Sequence, residues 1–197
     1  KEEGELVFIV VPNGAGKTTF INLLTGFLSP DEGSIVLDGD EITGMSANGR
    51  VDAGIARSFQ VVKVFEEMTV RENLRTVVLT EQGKTWSLFS MADGHEEVEA
   101  QVNELLEKFR LGDAADTVAE ELPHGDRKLL DVAMSFGLDP DYLLLDEPTS
   151  GVSTREKEYV IETIVEVGRA EGVTTVTIEH DMDIFTEYAD RVVALHQ

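Results

Sequence analysis

An α/β fold with a mainly parallel sheet, a small antiparallel β part and an inserted helical subdomain is what the 197 residues predict. Apolar, β-branched runs stand at 6–11 (LVFIVV), 142–146 (YLLLD) and 173–180 (VTTVTIEH). Each is followed by a polar turn and a helical pattern, the βαβ rhythm of a parallel sheet. The stretch 61–137 carries no comparable run and is helical in spacing instead.

In chain order, the first run leads into VPNGAGKTTF (11–20), which opens a helix expected to reach about Leu28. GSIVLDGDEI (33–42) reads as a short antiparallel hairpin turning at Asp38-Gly39. Helical spacing recurs at 70–79, at 96–109 and at 126–136. In the second of these, Val98, Val102, Leu105, Leu106 and Phe109 share one face with acids opposite. TEQGKTWSLFSMADG (80–94) reads as a loop whose Trp86, Leu88 and Phe89 pack locally. A last strand, RVVALH (191–196), closes the chain. The expected division is a nucleotide-binding α/β core from 1–60 and 138–197, and a helical subdomain from 61–137.

Composition bounds the function. Thirty-nine acidic residues against sixteen basic ones leave a net charge of −23, which argues against a phosphate-backbone binder. With no cysteine there is neither a disulfide framework nor a thiolate metal site. The 6–11 run is far too short for a membrane helix, and the opening Lys-Glu-Glu-Gly-Glu has no apolar signal region. The expectation is a soluble, cytoplasmic chain, and the missing initiator Met suggests a fragment. Acids spread along the whole length suit a salt-rich cytoplasm, hence a halophilic source.

The segment 11–20 places a glycine-rich turn between a strand and a helix, the context a phosphate loop requires. Backbone N–H groups of Asn13, Gly14, Ala15, Gly16, Lys17 and Thr18 can curl around a triphosphate at a positive helix end. Lys17 reaches the β- and γ-phosphates, Thr18 ligates Mg2+, and Thr19 donates to an α-phosphate oxygen. The pattern asks for glycine where Val11 stands. Either that backbone is strained, or Val11 simply lengthens the strand. The second run ends in Asp146 and Glu147, suited to holding Mg2+ and to polarising an attacking water. Carboxylates belong at the carboxyl end of such a strand, where open α/β sheets receive ligands.

The ordered set VPNGAGKTT, SFQ (58–60), LPHGD (122–126), YLLLDEPTSG (142–151) and IEHD (178–181) resembles the ATP-binding subunit of ABC transporters, a P-loop NTPase fold. FQVVKVFEEMTVRENL and HDMD resemble, more narrowly, the ATPases of branched-chain amino-acid and urea-type importers. The resemblance implies that Gln60 touches Mg2+ and the water, and that His180 contacts the γ-phosphate. It implies ATP and Mg2+ as cofactors, a second ATP-binding subunit in a homo- or heterodimer, membrane permease subunits, and no nucleic acid. The chain would then sit on the inner face of the cell membrane. Leu122, Pro123, His124, Gly125 and Asp126 would form the signature segment facing the partner's nucleotide.

That segment departs from the familiar L-S-G-G-Q. Pro123 offers neither a hydroxyl nor an N–H, His124 can substitute as donor, and Asp126 brings negative charge or a helix cap. A partner ATPase with a better signature is therefore expected, and slow hydrolysis by the isolated chain. The family's adenine-stacking aromatic falls upstream of the first strand, outside this sequence. His95, His124 and His196 have no companions that would make a metal site. Two other readings stand beside the importer ATPase. One is a nucleotide-binding regulatory subunit with a degenerate site, the other a non-transport ABC ATPase.

Overall fold

A computed structural model describes residues 4–11, 16–58, 63–81, 93–179 and 187–194, with 93–95 as backbone alone. The chain divides into two compact units, one of 1–57, 140–148 and 168–197, the other of 58–139 and 149–167. Among the described residues, no helix is long and apolar enough to cross a membrane.

The first unit is built on a five-stranded sheet. Its strands are β1 (Leu6–Val10), β4 (Ile55–Arg57), β5 (Tyr142–Asp146), β6 (Thr174–Glu179) and β7 (Arg191–Ala194), in the order β4-β5-β6-β1-β7. Every neighbouring pair runs parallel. The register sets Val10 against Glu179 and Asp146 against Ile178, so the carboxyl ends of three central strands lie level. Leu143, Leu144 and Leu145 are all buried, the continuous apolar run of a strand covered on both faces. On one flank Ile9, Val11, Ile21 and Ile178 pack together; elsewhere Ile42, Ile55 and Leu144 form a second cluster.

Helix α1 (Lys17–Leu24) follows β1. It ends four residues short of the expected Leu28 because Gly26 turns left-handed at φ 77°, and the Phe27 N–H returns to the Asn22 carbonyl at 2.9 Å. Its rear is capped from a distance. Arg50, 1% exposed on α2 (Ala47–Asp52), donates Nη1 to the Leu23 and Leu24 carbonyls and Nη2 to the Thr43 carbonyl at 3.2 Å. The hairpin is β2 (Val36–Leu37) and β3 (Asp40–Glu41), antiparallel, with Asp38 and Gly39 both at positive φ as a type I′ turn demands.

The second unit is helical. Its helices are α3 (Val70–Glu81), α4 (Asp93–Lys108), α5 (His124–Phe136) and most of α6 (Thr154–Ala170). Buried faces repeat at helical spacing: Val70, Leu74, Val77 and Val78; Val98, Val102, Leu105 and Leu106; Leu129, Leu130 and Met134. Phe109 meets Phe136 edge-on with ring centres 5.2 Å apart. The 80–94 loop is shorter than expected, since Thr80 and Glu81 continue α3 and Asp93 and Gly94 begin α4. Trp86, Leu88 and Phe89 lie outside the described residues.

α3 starts with a reciprocal cap. Thr69 N–H donates to the Glu72 carboxylate at 2.8 Å, and Glu72 N–H donates to the Thr69 hydroxyl at 3.2 Å. Those bonds hold the Glu72 carboxyl below its ordinary range. Beside it, fully buried Asn73 accepts from Phe65 N–H at 2.7 Å and donates to the carbonyls of Phe65 and Thr69 at 3.0 and 2.9 Å. One amide thus organises the whole entry loop.

Candidate functional site

Gly16 stands at the N-cap of α1 with φ 84°, a left-handed backbone that admits glycine without strain. Lys17, Thr18 and Thr19 make the first turn, with Thr18 and Thr19 open to solvent. Asn13, Gly14 and Ala15 fall outside the described residues, as do Gln60 and His180. Val11 is not among the non-glycine residues at positive φ, and its side chain is buried in the Ile9 cluster. The left-handed backbone that would strain a valine is therefore absent, and Val11 does not lengthen the strand either, since β1 ends at Val10.

The side chain of Lys17 turns to the end of β5. Its Nζ lies 3.2 Å from Asp146 Oδ1 and donates a short hydrogen bond to Glu147 Oε1. Residues 130 positions apart are thereby joined. Burial alone would lower the Lys17 ammonium's pKa, but the bond to Glu147 and the charge of Asp146 outweigh it, and the net shift is upward. Glu147 has φ 49°, unusual for a side-chain-bearing residue, and its N–H donates to the Ile178 carbonyl at 3.0 Å. This turn sends the chain away from the sheet immediately after the two acids.

Asp146 has a second cation. Arg57, the last residue of β4, sets Nη2 3.5 Å from Asp146 Oδ2 and donates Nη1 to Asn22 Oδ1 on α1 at 3.0 Å. The Arg57 side chain is 2% exposed. Burial lowers its affinity for a proton, and Asp146 partly restores it. Sequence reasoning missed Arg57 and Asn22. The available signal was a charged residue closing the otherwise apolar Gly-Ile-Ala-Arg segment.

Asp146 Oδ1 is buried and receives no aligned hydrogen bond, although Lys17 is near. Among the described residues no group of three or more His, Asp or Glu could hold a metal ion. One carboxylate oxygen with the Thr18 hydroxyl nevertheless fits magnesium, which takes few protein oxygens and completes its shell with phosphates and water.

Leu122, Pro123, His124, Gly125 and Asp126 lie in the helical unit. Leu122 is buried, and Pro123 occupies the N-cap of α5 without any side-chain cap bond. Asp126 is therefore not the cap the sequence suggested: the helix begins at His124, and Asp126 sits within its first turn. Its carboxyl is pushed up by burial and then by the nearby charge of Glu156. Gly125 is also close to Glu156, whose Cβ lies 3.5 Å from where a Gly125 Cβ would stand.

Residues 2–150 match the family described as ABC transporter. The chain belongs to the ABC transporter family. It is 35% identical over 98% of its length to the high-affinity branched-chain amino acid transport ATP-binding protein LivG of Escherichia coli K12, covering 78% of that protein. The corresponding BraF protein of Pseudomonas aeruginosa is 34% identical over the whole chain, with 79% of BraF covered. A solved nucleotide-free ATP-binding cassette from an ABC transporter superposes with a TM-score of 0.81 at 30% identity, over 98% of this chain and 77% of that one. The ADP conformation of an ATP-binding cassette gives the same TM-score, identity and coverage. The parallel sheet with its small antiparallel part is thus the P-loop NTPase fold, and this ABC transporter cassette is an ATP hydrolase.

Proposed function

We propose that this cassette powers an importer of branched-chain amino acids or related small solutes. The meeting of Lys17 with Asp146 and Glu147 carries the reading at residue level. Several relatives, LivG and BraF among them, are named for branched-chain amino acid transport. The regulatory and non-transport alternatives find no support among them.

In this proposal Asn13, Gly14, Ala15, Gly16, Lys17, Thr18 and Thr19 bind the triphosphate, and Lys17 moves from Glu147 to the β- and γ-phosphates. Glu147, freed from the ammonium, takes the proton of an in-line water, with Gln60 and His180 orienting that water. Thr18, Asp146 and Gln60 would hold Mg2+, which neutralises charge on the phosphates. The α5 N-terminus, with Leu122–Asp126, faces the nucleotide of a second ATP-binding subunit. Permease subunits seat the pair on the inner face of the membrane, nucleic acid plays no part, and the acidic surface serves a salt-rich cytoplasm.

Glu147→Gln tests the chemistry. It should retain ATP binding while hydrolysis falls by about 100-fold or more, the range of a lost general base. Equal steady-state rates for the two proteins would refute the assignment. Adding a partner cassette with an intact signature should raise the wild-type rate, and a fully active isolated chain would contradict the need for one.

A further inference from the structure

Asp146 is bracketed by two cations of different character. Lys17, half-buried, stands 3.2 Å from Oδ1 on a flexible stem that a phosphate can draw away. Arg57 stands 3.5 Å from Oδ2, buried, and tied to Asn22 by a 3.0 Å hydrogen bond. Its planar guanidinium sends one nitrogen to each partner, a two-point grip that an ammonium cannot reproduce. Arg57 and Asn22 come from different elements: β4 pairs with the strand that ends in Asp146, and Leu24 of α1 packs against the cluster that includes Leu144 of that strand. Oδ1 is left as the oxygen without an aligned hydrogen bond.

We propose that Arg57, held by Asn22, is a positioning residue that pins Asp146 Oδ2 so that Oδ1 stays turned toward the magnesium position. The inference rests on the Mg-ATP reading above. When triphosphate takes Lys17, Oδ1 loses its ion-pair partner and becomes available, while Arg57 keeps the carboxylate from rotating. Outer partners of this kind commonly change metal affinity by about 10- to 100-fold when removed.

The test compares wild type, Arg57→Lys and Asn22→Ala. Affinity for a non-hydrolysable ATP analogue is measured by calorimetry with chelator and again with Mg2+, and Mn2+ binding to the analogue complex is followed by electron paramagnetic resonance. Circular dichroism melts report folding, and Asn22→Ala, a change at a half-buried helix position, covers the case in which Arg57→Lys does not fold. The expected result is metal-free affinity within about twofold of wild type, with Mn2+ affinity about tenfold weaker in Arg57→Lys and several-fold weaker in Asn22→Ala. Mn2+ affinity equal to wild type in the folded variants would overturn the proposal. Equal losses with and without metal would do the same, since they would make Arg57 a general support of the nucleotide site. If wild type itself shows no metal-dependent gain in analogue binding, the Mg-ATP reading fails, and this inference with it.

Discussion

Val11 fills the place where the phosphate-loop pattern asks for glycine, yet it packs at 5% exposure against Ile9, Ile21 and Ile178. Its side chain therefore belongs to the core. Val11→Gly should cost about 2–4 kcal/mol in urea unfolding, through lost burial and added backbone freedom, with nucleotide affinity unchanged wherever the protein stays folded. An unaltered urea midpoint would contradict this account. Legibility at this scale follows chemistry. Lys17, Asp146 and Glu147 were readable because the phosphate loop and an apolar strand ending in two acids are rare in combination. Arg57 and Asn22 were not, because an arginine closing a short apolar segment and an asparagine within a helix do not by themselves name a partner. Only the pairing of β4 with β5, and the proximity of α1, give them meaning.

At the level of elements, apolar and β-branched runs located β1, β5 and β6 to within a residue or two; β1 and β5 are largely apolar, whereas β6 is legible through its β-branched threonines, Thr174, Thr175 and Thr177, which it buries. The hairpin was legible through Asp-Gly, the pair its turn requires. β4 and α2 went unread: three residues of strand and six of helix are too short for periodicity to register. Helix ends drifted for a similar reason, because Gly26 stops α1 by its backbone and not by any break in hydrophobic spacing. In α3 the decisive residue is Asn73. Asn73→Ala leaves the Phe65 N–H and nearby carbonyls without their buried partner, an expected loss of about 2–4 kcal/mol from several coupled hydrogen bonds. Hydrogen exchange should quicken first at 65–74 and before the sheet amides; uniform exchange would argue against so local a role.

For the molecule as a whole, charge is the dominant feature. Sixteen basic residues cannot neutralise thirty-nine acids in any geometry, so the native state carries strong self-repulsion. Raising salt from about 0.1 M to 1 M shortens the screening length from about 10 Å to about 3 Å. The melting temperature should climb steadily across a potassium chloride series, and a flat profile would remove the inference of adaptation to a salty interior. Connectivity has its own bearing on tolerance to change. Arg50 works as a plug: the polypeptide leaves α1, wanders through the hairpin, and comes back only to stopper the helix it left. Trimming that detour as dispensable surface would uncork α1 from the rear and carry Lys17, at the other end of the same helix, off its mark.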